Sequence, residues 1–600
     1  MTGVSDIRGS VAGRCQKEIA IASSARKDEH DEPDIKSMFR YATFIITAMV
    51  LTLGAGPVTV KAETFPVSIR VHADEPVGEW KPIWRFFGAD EPNYATLPDG
   101  RKLMAELGRL RTNEVFFRTH NLLTSGNGTP ALKWGSTGVY DEDAQGNPVY
   151  QWKILDQIFD TYRECGVRPY VEIGFMPEAL SVKPEPYQHH WTPQAKYGEI
   201  YTGWAYPPKD YTRWSELVFQ WAKHDVERYG RDEVAGWYWE TWNEANIGYW
   251  QGRPEEFFRL HDCAVDAVRR ALPGAKVGGP DSAGGGTKFL RDFLEHCVRG
   301  TNFATGRVGT PVDFISFHAK GSPVFTNDHV RMGIASQLRD MDSAFKIIAS
   351  FPELKGKPIV IGESDPDGCA ACQGDQLGYR NGSIYASYTV ASLAREFQLA
   401  DRLGVNLEGA LTWAFEFEGQ PLFAGFRQLA SGGVDLPVFN VFRMLSQMSG
   451  QRLAVESDGA VPLDDILKVG VRARPDVSAL ASLDRNRLSV LVWHYHDDDL
   501  PGPDAEVELT IEGLPPNVRQ ARFEQFRIDI RHSNAFTTWK SMGSPLQPTP
   551  EQFAQLEKAG QLAALESPGN LTITDGRIAL PLHLPRQSVS LLVIRWRTQP

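Results

Sequence analysis

Five short stretches of this 600-residue sequence carry carboxylates or imidazoles, four of them beside aromatic side chains, and each directly follows an apolar run. They are Arg118-Thr-His120-Asn121, Glu240-Thr-Trp242-Asn243-Glu244-Ala-Asn246, His318-Ala-Lys320, Gly362-Glu363-Ser364-Asp365 and Trp413-Ala-Phe415-Glu416-Phe-Glu418. Two carboxylic acids brought face to face are what glycosidic cleavage needs. One protonates the leaving oxygen; the other attacks the anomeric carbon or activates water. Glu244 and Glu363 are the candidates for these roles. Asn243, one residue before Glu244, is placed to hold a sugar 2-hydroxyl. Arg118 is expected to keep Glu363 ionised, because a nearby positive charge lowers a carboxyl pKa. That charge on Glu363 should in turn keep Glu244 protonated. Each residue alone has a plainer reading: a buried Glu is salt-bridged, a lone His is a satisfied core residue. That reading fails jointly only if all five stretches meet at one rim. No HExxH or comparable ligand spacing occurs, so neither a metal nor a cofactor is called for.

A rim of that kind needs strands that end side by side. From residue 84 to 448 the chain repeats an apolar run, a polar loop and an amphipathic stretch. The apolar runs are Arg85–Ala89, Val115–Arg118, Pro169–Ile173, Gly236–Trp242, Lys276–Gly279, Phe314–Phe317, Pro358–Ile361 and Gly409–Trp413. Helical periodicity marks Trp152–Cys165, Trp214–Tyr229, Glu255–Leu272, Lys288–Val298, Met332–Phe351 and Ser383–Leu403. Eight such alternations predict an α/β fold, a (β/α)8 TIM barrel, with its active site at the C-terminal ends of the strands. The chemistry-bearing stretches then follow strands 2, 4, 6, 7 and 8. No GxGxxG opens a helix, which argues against a dinucleotide fold. From 449 to 600 the pattern changes to short strands parted by Gly/Pro/Asp turns, predicting a β-sandwich accessory domain. Leu467–Val471, Leu488–Trp493, Glu506–Ile511, Ala521–Ile530, Leu571–Thr574 and Val589–Trp596 read as its strands, with a short helix at Pro550–Ala559. Residues 63–83 contain a strand, Phe65–His72, that is expected to join it.

Net charge is −12, which argues against a nucleic-acid-coating protein. Sixteen Trp are the unusual entry in the composition and suit stacking on sugar faces, although most Trp in any protein are core. Residues 1–62 read as a leader with a signal peptide over 38–62. Arg40 precedes the uncharged run Tyr41–Leu53, and Val60 and Ala62 sit at −3 and −1 of a cleavage site. Thirteen residues are too few to span a bilayer. The expected product is periplasmic or secreted, with no membrane attachment once the signal is removed. Cys165, Cys263 and Cys297 fall in helical patterns and read as core. Cys369-Ala-Ala-Cys372 lacks a second zinc-ligand pair and, in an exported protein, reads as a local disulfide.

Trp242-Asn243-Glu244-Ala-Asn246 resembles the WNEPN acid/base motif of glycoside hydrolase family 39, with Ala245 in place of Pro. Ile361-Gly-Glu363 resembles its strand-7 nucleophile, Phe314-Ile-Ser-Phe-His318 its strand-6 motif and Arg118-Thr-His120 its strand-2 motif. Phe415-Glu416 with Gly419 and Pro421 resembles its FExxGxP stretch, and Arg531-His-Ser-Asn-Ala-Phe…Trp539 a stretch of its accessory domain. Lys320 stands where the family has Tyr. The resemblance implies a retaining exo-glycosidase, a β-xylosidase releasing xylose from xylo-oligosaccharides. Iduronidase-like, β-glucosidase or arabinofuranosidase activity is the alternative, and a non-catalytic sugar-binding barrel a further one. It implies Glu244 as acid/base, Glu363 as nucleophile, and His120, Asn243, His318, Trp413, Glu416 and Glu418 around the bound sugar. Lys320 either binds a uronate carboxylate or is a solvated loop cation. The aromatic-rich segment Phe175–Pro208, with Tyr187, His189, His190, Trp191, Tyr197, Trp204 and Tyr206, is expected to wall the pocket or to pack as a surface flap.

Overall fold

The computed structural model describes residues 64–189, 200–326, 328–565 and 569–597. The expected signal segment, and His190, Trp191 and Tyr197, lie outside them.

Eight parallel strands form the barrel: β1 Phe86–Ala89, β2 Val115–Thr119, β3 Val167–Ile173, β4 Tyr238–Thr241, β5 Lys276–Ser282, β6 Phe314–Lys320, β7 Pro358–Asp365 and β8 Asn406–Ala410. Each pairs with the next in parallel register. The ring closes from β8 to β1: Ala410 N–H donates to the Ile83 carbonyl, and Phe87 bridges Thr412. The strands are short runs of apolar and aromatic residues, buried nearly throughout, as strands covered on both faces must be.

Helices α1 Pro98–Leu110, α2 Lys153–Glu164, α3 Tyr211–Tyr229, α4 Pro254–Ala271, α5 Lys288–Arg299, α6 Ile334–Ala349, α7 Ser383–Leu403 and α8 Pro437–Leu445 follow the strands in turn. In α2 the stripe Leu155, Ile158, Phe159 and Tyr162 is buried. Each of these side chains contributes roughly 1.5–3 kcal/mol by leaving water. Asp210 caps α3 by accepting from Thr212 and Arg213 N–H, while α1, α4 and α8 begin with Pro, whose missing N–H costs nothing in a first turn. No described helix is long and apolar enough to cross a membrane.

Among the described residues outside the barrel, eight short strands pair two by two and ten others form one hydrogen-bonded sheet. Strand Thr64–Glu79 lies inside it, antiparallel to Gln451–Ser457 and parallel to Asp504–Glu512. Ile578 and Leu582, from the strand at one end of this sheet, share one apolar core with Leu592 and Ile594, from the third strand from the other end, so the sheet curls over itself. A larger core runs from the barrel into the near face of this sheet through Trp493, Tyr495 and Ile528. The Arg531–Trp539 stretch has a structural use: Phe536 and Trp539 pack on Phe423 in the loop after β8.

One expected strand, Leu467–Val471, is instead part of helix Leu463–Val469. Pro462 precedes it, Asp464 and Asp465 occupy its first turn and Lys468 its last, the charge order that suits a helix dipole. Its Leu463 and Ile466 are buried at helical spacing.

Cys369 and Cys372 are joined in the loop after β7, with Cα atoms 5.5 Å apart. Arg380 clamps this loop by donating to the carbonyls of Cys369 and Cys372. Reduction is expected to lower the unfolding free energy by about 2 kcal/mol, the loop-closure cost of so short a ring. Denaturant melts with and without reductant test this, and non-reducing peptide mapping that finds both thiols free contradicts it.

Candidate active site

Residues from all five stretches, though not every residue of them, meet at the C-terminal mouth of the barrel. Glu244 lies three residues beyond β4, on backbone with φ 43°. Its neighbours in the motif hold that shape. Trp242 Nε1–H donates to the Tyr249 carbonyl at 2.8 Å. Asn246 both donates to and accepts from Ala283 at 2.8 Å, tying this loop to the one after β5. Glu363 sits within β7, and His318 and Lys320 within β6.

Glu244, His318 and Glu363 bring side-chain oxygens and nitrogen within 4.8 Å of one another. His318 Nδ1 lies 2.8 Å from Glu244, and Nε2 lies 2.6 Å from Asp281. Lys320 Nζ lies between the two glutamates, 3.0 Å from Glu244 and 2.7 Å from Glu363. This donor set does not suit a metal ion, since an ammonium already occupies the space between the carboxylates and both His318 nitrogens face carboxylates.

The charges follow from these contacts. Burial opposes ionisation of Glu363, but His318 and Lys320 outweigh it and bring the carboxyl down to about 2. Burial likewise opposes ionisation of Glu244, yet Lys320 and His318 hold it well below the ordinary carboxylate range. For His318, burial is overcome by Asp281, Glu363 and Glu244, which lift it to about 10. Lys320 is raised above its ordinary value by the two glutamates, again against burial.

Two expectations need correcting. Arg118 is not the cation beside Glu363. It is fully buried below the mouth, paired with Glu172 at 2.9 Å, Glu240 at 2.7 Å and Asp281, and it donates to Asn243 Oδ1 at 3.2 Å. Lys320 and His318 supply the positive charge at Glu363 instead. Nor do the surroundings of Glu244 favour its protonated form, because the same two cations face it and outweigh the effect of burial.

Asn243 has its oxygen turned to Arg118, which leaves its amide N–H groups as the donors for a ligand. His120 Nδ1 is 2.5 Å from Glu172, and burial together with Arg118 keeps its imidazole neutral. The Trp413 ring lies 4.3 Å from that of His120, tilted by 37°, and 5.2 Å from the Arg118 guanidinium. The Trp413 backbone N–H donates to Asp365, and the ring crosses β1 so closely that a Cβ on Gly88 would meet it at 2.5 Å. Ring contacts continue from His120 through Phe175 and Tyr249 to Tyr187, forming an aromatic wall. Within the segment Phe175–Pro208, Phe175 and Tyr187 therefore belong to the wall, whereas Trp204 is buried and donates to the Pro184 carbonyl.

Glu416 and Glu418 are not brought to the carboxylate pair. Glu418 accepts the N–H groups of Asp99 and Gly100 at 3.0 and 3.2 Å and so caps the start of α1. Glu416 accepts the Gly433 N–H at 2.7 Å, and burial pushes its carboxyl up to about 8. The resemblance implies Glu416, and the position after β8 implies Glu418, as sugar-side groups, but that loop gives both of them backbone N–H donors. Asp281, Glu172 and Glu240, which form the ion network under the mouth, were not singled out as site residues. Glu240 stood in the β4 stretch, while Asp281 was hidden in what reads as a Gly-Gly-Pro-Asp turn.

A (β/α)8 barrel with two buried carboxylates facing each other across its mouth, walled by aromatic rings, is the arrangement of a glycoside hydrolase. The chain belongs to glycosyl hydrolases family 39, whose sequence pattern matches residues 67–575. It is similar to a β-xylosidase of Caldicellulosiruptor saccharolyticus, 28% identical over 68% of this chain and 76% of that one. It is also similar to the α-L-iduronidase of Mus musculus, 28% identical over 64% of this chain and 62% of that one. Among solved structures, a monomeric β-xylosidase from Caulobacter crescentus CB15 shares the fold, with a TM-score of 0.69 at 20% identity over 88% of this chain and 99% of that one.

Proposed function

We propose that this protein is a retaining exo-glycosidase working by double displacement, with Glu363 as nucleophile and Glu244 as acid/base, on glycosides whose glycone carries a carboxylate. The exo mode follows the family resemblance. Retention is supported by the separation of the pair: one oxygen of each glutamate lies within 4.8 Å of the other, shorter than the roughly 6.5–9.5 Å between the carboxyls of inverting enzymes.

The observation that carries the choice of glycone is Lys320. Its ammonium contacts both catalytic-site glutamates, with the side chain 18% exposed, so it is a pocket cation and not a solvated loop residue. A neutral pentose offers it no counter-charge. A uronate carboxylate does, and by drawing the ammonium away from Glu244 it would free that group to take up a proton. Two features support a second reading, β-xylosidase: the similar curated protein from C. saccharolyticus bears that name, and the fold is shared with another so titled.

Nitrophenyl α-L-iduronide, β-D-glucuronide and β-D-xyloside separate these readings. Under the uronide reading, Lys320→Ala lowers the uronide-to-xyloside ratio of kcat/KM by about 10–100-fold, the worth of one charge-assisted hydrogen bond. An unchanged ratio, with the xyloside as the better substrate, would select the xylosidase.

A further inference from the structure

Asp281 stands in the run Gly278-Gly-Pro-Asp281 of β5, is fully buried, and has φ 50°. It reaches Glu244 by two routes. Its backbone carbonyl accepts the Glu244 N–H at 3.0 Å. Its Oδ2 lies 2.6 Å from His318 Nε2, and the opposite ring nitrogen of His318 lies 2.8 Å from Glu244 Oε1. The same carboxylate is ion-paired with Arg118. Its other oxygen lies against Gly362, where an added Cβ would meet it at 1.8 Å. The residue before Glu363 must therefore be glycine for Asp281 to keep this position.

We propose that Asp281 is a positioning residue that grips Glu244 at both ends, by its backbone carbonyl at one and through His318 at the other. The inference rests on reading Glu244 as the acid/base. With both ring nitrogens facing carboxylates, His318 is a fixed imidazolium and not a proton shuttle. The charged and titratable groups around it come from every neighbouring strand. Asp281 comes from β5, Glu244 from the loop after β4, Glu363 from β7 and Lys320 from β6. Arg118 and His120 come from β2, with Glu172 and Glu240 beyond Arg118. The imidazolium locks the Glu244 carboxylate in one place and favours its ionised form. Glu244 must then take up the leaving-group proton against that pull. Asp281 holds this imidazolium in place against Glu244 and adds its own negative charge to the surroundings in which Glu244 titrates.

Asp281→Asn removes the charge while keeping the shape and the backbone carbonyl. His318 is expected to lose its proton nearer its ordinary value. Glu244 titrates below that value and so still faces the imidazolium; without the negative charge of Asp281 nearby it binds its proton less readily. The alkaline limb of kcat/KM on a poor-leaving-group glycoside moves down by up to about one pH unit, whereas an activated nitrophenyl glycoside shows a smaller change. Loss of packing alone would lower the profile without moving the limb.

The experiment pairs these pH profiles with NMR titration of His318 in the full chain carrying 15N-labelled histidine. In the wild type, the proposal expects His318 to stay doubly protonated through neutral pH. A wild-type His318 that titrates near 6.5 overturns the proposal, and so does an Asn variant that leaves both the titration and the limb in place. If Asp281→Asn does not fold, the wild-type titration decides alone. The NMR arm needs no substrate. Should it succeed while Glu244→Ala shows no dependence on leaving group, the acid/base assignment is at fault and the grip on Glu244 is merely structural.

Discussion

Replacing Glu363 by alanine is expected to abolish turnover of every glycoside, by about four orders of magnitude or more in kcat/KM, whatever the leaving group. In double displacement this carboxylate forms the bond to the anomeric carbon, and no other group reaches that position. The site prepares it for attack. It is buried yet held ionised at about 2, because His318 lies 3.6 Å from one oxygen and Lys320 2.7 Å from the other. The loss is chemical and not structural, so the variant should melt close to the wild type. Residual activity within about a hundredfold of wild type, or an equal loss of folded protein, would contradict the assignment.

Glu244→Ala should behave differently. Protonation of the leaving oxygen is worth about 10²–10⁴-fold, but only when the leaving group needs it. Alkyl glycosides and oligosaccharides should therefore lose activity by about that factor, whereas an activated dinitrophenyl glycoside, a good leaving group unaided, should lose much less in the first step. The general-base role in the second step is lost too, so glycosyl-enzyme should accumulate as a burst. Added azide, a small anion that needs no general base, should restore turnover. The wild-type profile on poor leaving groups should also favour acidic pH. Lys320 and His318 favour ionised Glu244, so the fraction carrying the acid proton falls as pH rises. A Glu244→Ala enzyme equally impaired on all leaving groups would remove this residue from the acid role.

Much of this was legible before any coordinate. Barrel strands are buried on both faces, so they stand out as apolar runs, and the residues just beyond them must face the mouth. That logic was enough to find Glu244, Glu363, His120, Asn243, His318 and Trp413. It fails where position along the chain does not fix direction. Glu416 and Glu418 follow β8 as Glu244 follows β4, yet they serve the Gly433 N–H and the start of α1. It also fails for charge. Protonation of Glu244 depends on where the end of the Lys320 side chain rests, and four rotatable bonds hide that from a sequence. Asp281 was missed for a related reason. Its partners His318 and Arg118 lie 37 and 163 positions away, joined only by the closed ring of strands. In the sheet domain, Leu467–Val471 was read as a strand because its apolar residues are few, although Pro462 and the acidic first turn marked a helix start.

The account turns on retention by a covalent glycosyl-enzyme at Glu363. Proton NMR of the first sugar released from a nitrophenyl glycoside, recorded before mutarotation, reads this directly. The same anomer as the substrate is the predicted product, consistent with glutamate oxygens within 4.8 Å of each other. The opposite anomer, formed first, would mean that water attacks in one step and that Glu363 is not the nucleophile.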